Sequence, residues 1–102
     1  MYSARDQVEN EAWLDDLEGV AERLGYGESA RSRAVDLFLS NLPDDERSKR
    51  AMLATSLYVA GLLEGERRTQ AEVADAAGVA RLTVQQRWKA VLESAGHDAP
   101  EW

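Results

Sequence analysis

The stretch ERRTQAEVADAAGVARLTVQQRWKAVL, residues 66–92, holds the side chains of this chain best suited to chemistry on a nucleic acid. Arg67, Arg68, Arg81 and Lys89 can neutralise phosphates, and Thr69 and Gln70 stand beside them at a helix start as further DNA-contact candidates. Thr83, Gln85 and Gln86 can bond to base edges. A glutamine amide pairs with adenine bidentately, and an apolar side chain such as Leu82 suits a thymine methyl. Other chemistries fail on inventory. There are no cysteines and one histidine, His97, so thiolate chemistry and zinc ligation lack their residues. The carboxylates are scattered, with no nucleophile–base constellation among them, so the chain reads as a non-enzyme with no cofactor and no metal.

The charge pattern isolates the same stretch. The formal net charge is −7, yet residues 66–89 carry five basic and three acidic side chains, while residues 1–64 carry seven basic and thirteen acidic ones. Acidity belongs to the body and the suspected reading element is locally basic. Ten of the twelve basic residues are arginine. An acidic, lysine-poor surface is what a salt-loving organism favours, because carboxylates hold water where salt screens charge within about 3 Å at 1 M. An ordinary acidic protein from a GC-rich genome is the plain alternative.

A chain of 102 residues has room for one modest core. No apolar run reaches the roughly 20 residues of a membrane span, and MYSARDQVEN lacks the apolar segment of a secretory signal. A cytoplasmic setting is therefore expected. Apolar residues at Val8, Ala12, Trp13, Leu17, Val20 and Leu24 recur every three to four positions, predicting a helix over 6–24 capped by Gly25. Ala30, Ala34, Val35, Phe38 and Leu42 predict a second helix with Ser29 as N-cap, ended by Pro43. A third, over 44–64, opens on Asp44-Asp45-Glu46 and turns apolar nearly all round from Ala51 to Leu63, which makes it central.

Thr69-Gln70-Ala71-Glu72 is a capping box that starts a fourth helix. Gly78 can take the left-handed conformation that ends it at Ala77, with Val79 folding back. A fifth helix runs from Ala80–Arg81 to Ser94, with Gly96 beyond its end. Two short helices across a glycine turn have the spacing of a helix-turn-helix, and Ala74 is small where they would approach. At 100° per residue Val84, Trp88, Val91 and Ala95 face inward, while Leu82, Gln86 and Lys89 face outward, flanked by Gln85 and Thr83. The fold expected is all-α: five helices over 1–95, the helix-turn-helix at 69–93, and a loose tail at 96–102. Trp13, Tyr58 and Trp88 read as core residues, although an exposed Trp13 would mark an interface. Arg67-Arg68 reads either as phosphate contact or as plain solvated charge.

LATSLYVAGLLEGERRTQAEVADAAGVARLTVQQRWKAVLE, residues 53–93, resembles the last three helices of a cyclin-like repeat of the TFIIB family, most closely the second repeat of archaeal TFB. The resemblance rests on Leu57-Tyr58-Val59-Ala60, Arg68-Thr69-Gln70, Glu72-Val73-Ala74, Gly78-Val79, Thr83-Val84, and Arg87 before an aromatic and Lys89. LGYGESARSRAVDLF before it is weakly similar to the repeat's first two helices. It implies a transcription factor or accessory regulator that meets double-stranded promoter DNA, with TBP or another transcription protein as a further partner and a homodimer as a way to add contacts. In the family a zinc ribbon and another repeat accompany this one; a single cysteine-free repeat is expected to hold DNA without recruiting polymerase. The family's apolar base-contacting position is Leu82 here, the arginine three residues on is Gln85, and Arg81 replaces an acidic residue. Gln85 shifts the preference from guanine toward adenine. The competing reading is a protein-interaction adaptor that keeps the repeat as scaffold, with Leu82 in an apolar contact patch.

Overall fold

The computed structural model describes residues 10–97, which form five helices. These are α1 (Glu11–Arg23), α2 (Glu28–Ser40), α3 (Glu46–Leu63), α4 (Gln70–Ala77) and α5 (Arg81–Ser94). No strand occurs among the described residues, so the expected all-helical, cyclin-like arrangement stands. The first four residues of the helix expected over 6–24 lie outside the described residues, as does most of the tail expected to be loose.

Helix α3 organises the rest. Every residue from Leu53 to Gly61 is buried, Thr55 and Ser56 included. A helix apolar on all sides must be enclosed, and α2 and α5 supply its most extensive contacts. Thr55 is accommodated because its hydroxyl donates to the Ala51 carbonyl at 2.8 Å within the same helix. From α5, Val84, Trp88, Val91 and Leu92 reach the core, and Trp88 meets Tyr58 of α3 edge-on at 5.7 Å between ring centres. Leu92 takes the inward position that the helical wheel gave to Ala95, which lies half-buried at the helix end.

The helix starts differ from the sequence reading in two places. Asp45 is the N-cap of α3, its carboxylate accepting from the Ser48 backbone N–H at 2.8 Å, so the helix begins at Glu46 and not at 44. Ser29 does not cap α2. Gly27 holds that position, in extended backbone, and its N–H donates to Glu66 Oε1 at 2.8 Å. A carboxylate 39 residues away thus anchors the N-cap residue, and no side chain caps the first turn of α2. Ala12, read as inward, is exposed, whereas Leu17, Val20 and Leu24 are buried as expected.

The α1–α2 turn is pinned to α3 at its narrowest point. Gly25 takes φ +71°, the left-handed geometry that ends α1. Tyr26 then turns inward, and its hydroxyl donates to the Leu57 carbonyl at 2.8 Å. Burial pushes the Tyr26 phenol up to about 12, against a smaller opposing pull from Arg68, so it stays protonated and able to donate. Gly61 leaves room for it. A methyl group there would collide with the Tyr26 hydroxyl and lie 2.9 Å from the Glu66 carbonyl oxygen. Gly61→Ala should therefore destabilise the protein by about 1–3 kcal/mol through overpacking. Gly19→Ala, where no atom lies within 4 Å of the new methyl, should stabilise it by about 0.5–1 kcal/mol. Urea unfolding of the two variants checks both signs.

Candidate nucleic-acid interface

Helix α4 is set by its ends. The Thr69 hydroxyl accepts from the Glu72 N–H at 3.0 Å, and Glu72 Oε1 accepts from the Thr69 N–H at 3.1 Å, so both halves of the expected capping box form. The Thr69 backbone N–H most strongly, and then the Thr69 hydroxyl, hold the Glu72 carboxyl below its ordinary range. At the other end Gly78 takes φ +73°, and Val79 N–H returns to the Ala74 carbonyl at 3.0 Å. Val73, Ala74 and Ala77 are buried, and α5 leaves the turn from Ala80, which has no side-chain cap. This is the helix-turn-helix in the register read from the sequence.

Helix α5 presents the expected outer face. Leu82 is 57% exposed and is the exposed large apolar side chain among the described residues. Gln86 is exposed beside it. Lys89 is half-buried, its ammonium 5.8 Å from the centre of the Trp88 ring, so its stem covers the tryptophan. Gln85 and Arg81 are exposed on one flank, where they share a shallow cleft of about 330 Å³ with Arg67, Thr69 and Gln70. Tyr58 forms part of its wall. Thr83 is half-buried on the opposite flank. The structure thus gathers Arg67, Thr69, Gln70, Arg81 and Gln85 into one recess, with Leu82, Gln86 and Lys89 on the adjoining face.

Arg68 goes elsewhere. Its Nε donates to the Leu24 carbonyl at 2.8 Å and one terminal nitrogen donates to the Glu66 carbonyl at 3.0 Å, while the guanidinium lies 5.3 Å from the centre of the Tyr26 ring. It fastens the α3–α4 connection to the end of α1, immediately before the reading element. Arg68 is thereby a positioning residue, a role with no local signature because Leu24 lies 44 residues away. Trp13 is half-buried, with the Arg50 guanidinium 5.0 Å above its ring.

Sequence reasoning also passed over a second cleft, of about 510 Å³, between the first turn of α3 and the far flank of α5. Arg47, Arg50, Arg87 and Thr83 line it, with the turn Gly78–Ala80. Its signal in sequence is faint: Arg47 belongs to a helix start rich in acid, Asp44-Asp45-Glu46. No group of histidine, cysteine and carboxylate side chains suited to a metal ion occurs among the described residues, and no described helix is long and apolar enough to cross a membrane.

Residues 14–94 match the family described as Transcription factor TFIIB repeat. The chain is 39% identical over 83 residues to Transcription initiation factor IIB of Pyrococcus abyssi, covering 78% of this chain and 28% of that protein. It is 48% identical over 76 residues to the same-named factor of Archaeoglobus fulgidus, covering 72% and 23%. With the factor of Methanopyrus kandleri the identity is 33% over 92 residues, covering 80% and 28%. The chain spans less than a third of the length of these relatives.

The caps that hold α3 and α4 imply an acid limb in stability. Asp45, held low chiefly by the Ser48 backbone N–H, and Glu72 both ionise more readily when folded. Their contribution is present above the ordinary values of 3.8 and 4.5 and is lost as pH falls through the lower folded values. Urea midpoints should drop on the acid side of pH 4, and the double variant Asp45→Asn/Glu72→Gln, which keeps capping groups, should show a shallower drop.

Proposed function

Because this chain belongs to the TFIIB repeat family, we propose that it is a TFIIB-like transcription factor or accessory regulator whose α5 enters the major groove of promoter-type DNA. The observation that carries this is the exposed Leu82, at 57%, on the same face as Gln86 and Lys89, while the opposite face of α5 is buried in the core. A lone exposed leucine is ordinary on a protein surface, but this one stands beside base-bonding amides on the outer face of the second helix of a helix-turn-helix, where a thymine methyl fits it. Gln85 reads adenine in preference to guanine. The recess of Arg67, Thr69, Gln70 and Arg81 meets a phosphate beside it. The resemblance to the second repeat of archaeal TFB supports a TBP–promoter complex as the setting. Few cations face the duplex, so a lone copy binds weakly and a protein partner or second copy adds affinity.

Selection of bound duplexes from a randomised pool, followed by fluorescence anisotropy, tests the reading. The wild type should enrich an A·T-containing site, and Gln85→Ala should lose discrimination at one position, worth about 1–3 kcal/mol. Lys89→Ala should weaken binding on all sequences and lower the salt slope by about 0.9. Absence of binding at low salt would overturn the proposal in favour of the adaptor reading, in which Leu82 meets a protein.

A further inference from the structure

A helix lying in the major groove has a phosphate strand on each side of it, the groove being about 12 Å wide. The α5 recess with Arg67 and Arg81 serves one side only. On the helical wheel Arg81 and Gln85 project to one flank of the Leu82–Gln86–Lys89 face, and Thr83 and Arg87 project to the other. That second flank is where the cleft of about 510 Å³ lies, and a separate element, the first turn of α3, brings Arg47 to it. Arg47 and Arg87 are exposed and enter no ion pair among the described residues. Arg50, in the same cleft, is by contrast engaged with Asp16 and with the Trp13 ring.

We propose that Arg47 and Arg87 form a second phosphate seat, which grips the backbone strand opposite the one met by Arg67 and Arg81. The inference rests on the DNA-binding reading above and adds to it a bridge between the reading helix and the central helix. Arg87 alone would leave the contact dependent on α5. Arg47 makes the seat a property of the α3–α5 junction, so the duplex is held at a fixed angle to the body. Asp45, which caps α3, lies near enough to Arg47 and Arg87 to be drawn further below its ordinary value by them, and Asp44 and Glu46 flank it in the chain. Its carboxylate opposes a phosphate and limits the affinity of the seat. Neither arginine touches a base in this arrangement, so the contact carries no sequence information.

The test is the salt dependence of duplex binding by the whole chain, followed by anisotropy on a non-selected duplex from 50 to 200 mM salt. The double variant Arg47→Gln/Arg87→Gln should lower the slope of log K against log salt by about 1.8, two contacts at about 0.9 each. Its affinity should then fall roughly tenfold less than that of the wild type across that range. Arg47→Lys/Arg87→Lys should restore the wild-type slope, since charge is what matters, and Asp45→Asn, which keeps a capping oxygen, should tighten binding. A wild type that binds duplex with a slope unchanged in the Gln double variant overturns the seat and leaves the DNA reading standing. A wild type that binds no duplex at 50 mM salt overturns both. Loss of affinity for polyglutamate with undiminished duplex binding would overturn the seat in favour of an acidic protein contact.

Discussion

The structure depends on the enclosure of α3. Nine successive residues, Leu53 to Gly61, are buried, so this helix cannot exist in water without neighbours on every side. That constraint dictates where the others go. It draws Trp88 and Val84 of α5 inward, and a helix with one face committed to the core must show the other to solvent. The outward placement of Leu82 and Gln86 is thus a consequence of core packing several residues away. It also explains the small residues: Ala54, Ala60 and Gly61 on α3, and Ala74 and Ala77 on α4, admit neighbouring side chains at close range.

Charge is divided along the same line. In the body, Arg33 meets Glu64 at 2.9 Å, Arg31 meets Glu18 at 3.9 Å, and Arg50 meets Asp16. These pairs are partly exposed and worth about 0–1 kcal/mol each, too little to hold the fold against the loss of a core side chain at about 2–5 kcal/mol. Their effect is to neutralise Arg31, Arg33 and Arg50 within the body, the last of them at the edge of the cleft beside α5. Arg47, Arg81 and Arg87, which surround α5, have no such pairing among the described residues. An acidic chain can therefore keep a cationic edge, and the net charge of −7 describes a surface other than the one that meets a duplex.

Local rules carried most of the fold. Helical periodicity and the glycine stops at Gly25, Gly78 and Gly96 lie where the chain turns, because a positive φ is a property of the residue itself. The capping box was readable for the same reason: both partners sit within three residues. What escaped were contacts made across the fold. Glu66 anchors Gly27 at the start of α2, Arg68 closes α1 at Leu24, and Arg47 reaches the flank of α5 from α3. None of these has a spacing signature, since each joins segments that meet only after α3 is enclosed. The outer face of α5 was legible from the wheel, whereas the commitment of Arg68 to the body was not.

The claim that α5 offers its outer face to a duplex is tested most directly by titrating uniformly 15N-labelled protein with double-stranded DNA and following amide shifts. The account predicts that the largest changes fall on Arg81 to Lys89 and on the Thr69–Gln70 helix start, with smaller ones at Arg47, and that Leu17, Val20 and the Glu18–Arg31 side stay unmoved. Shifts confined to α1 and α2, or none at all at low salt, would contradict it.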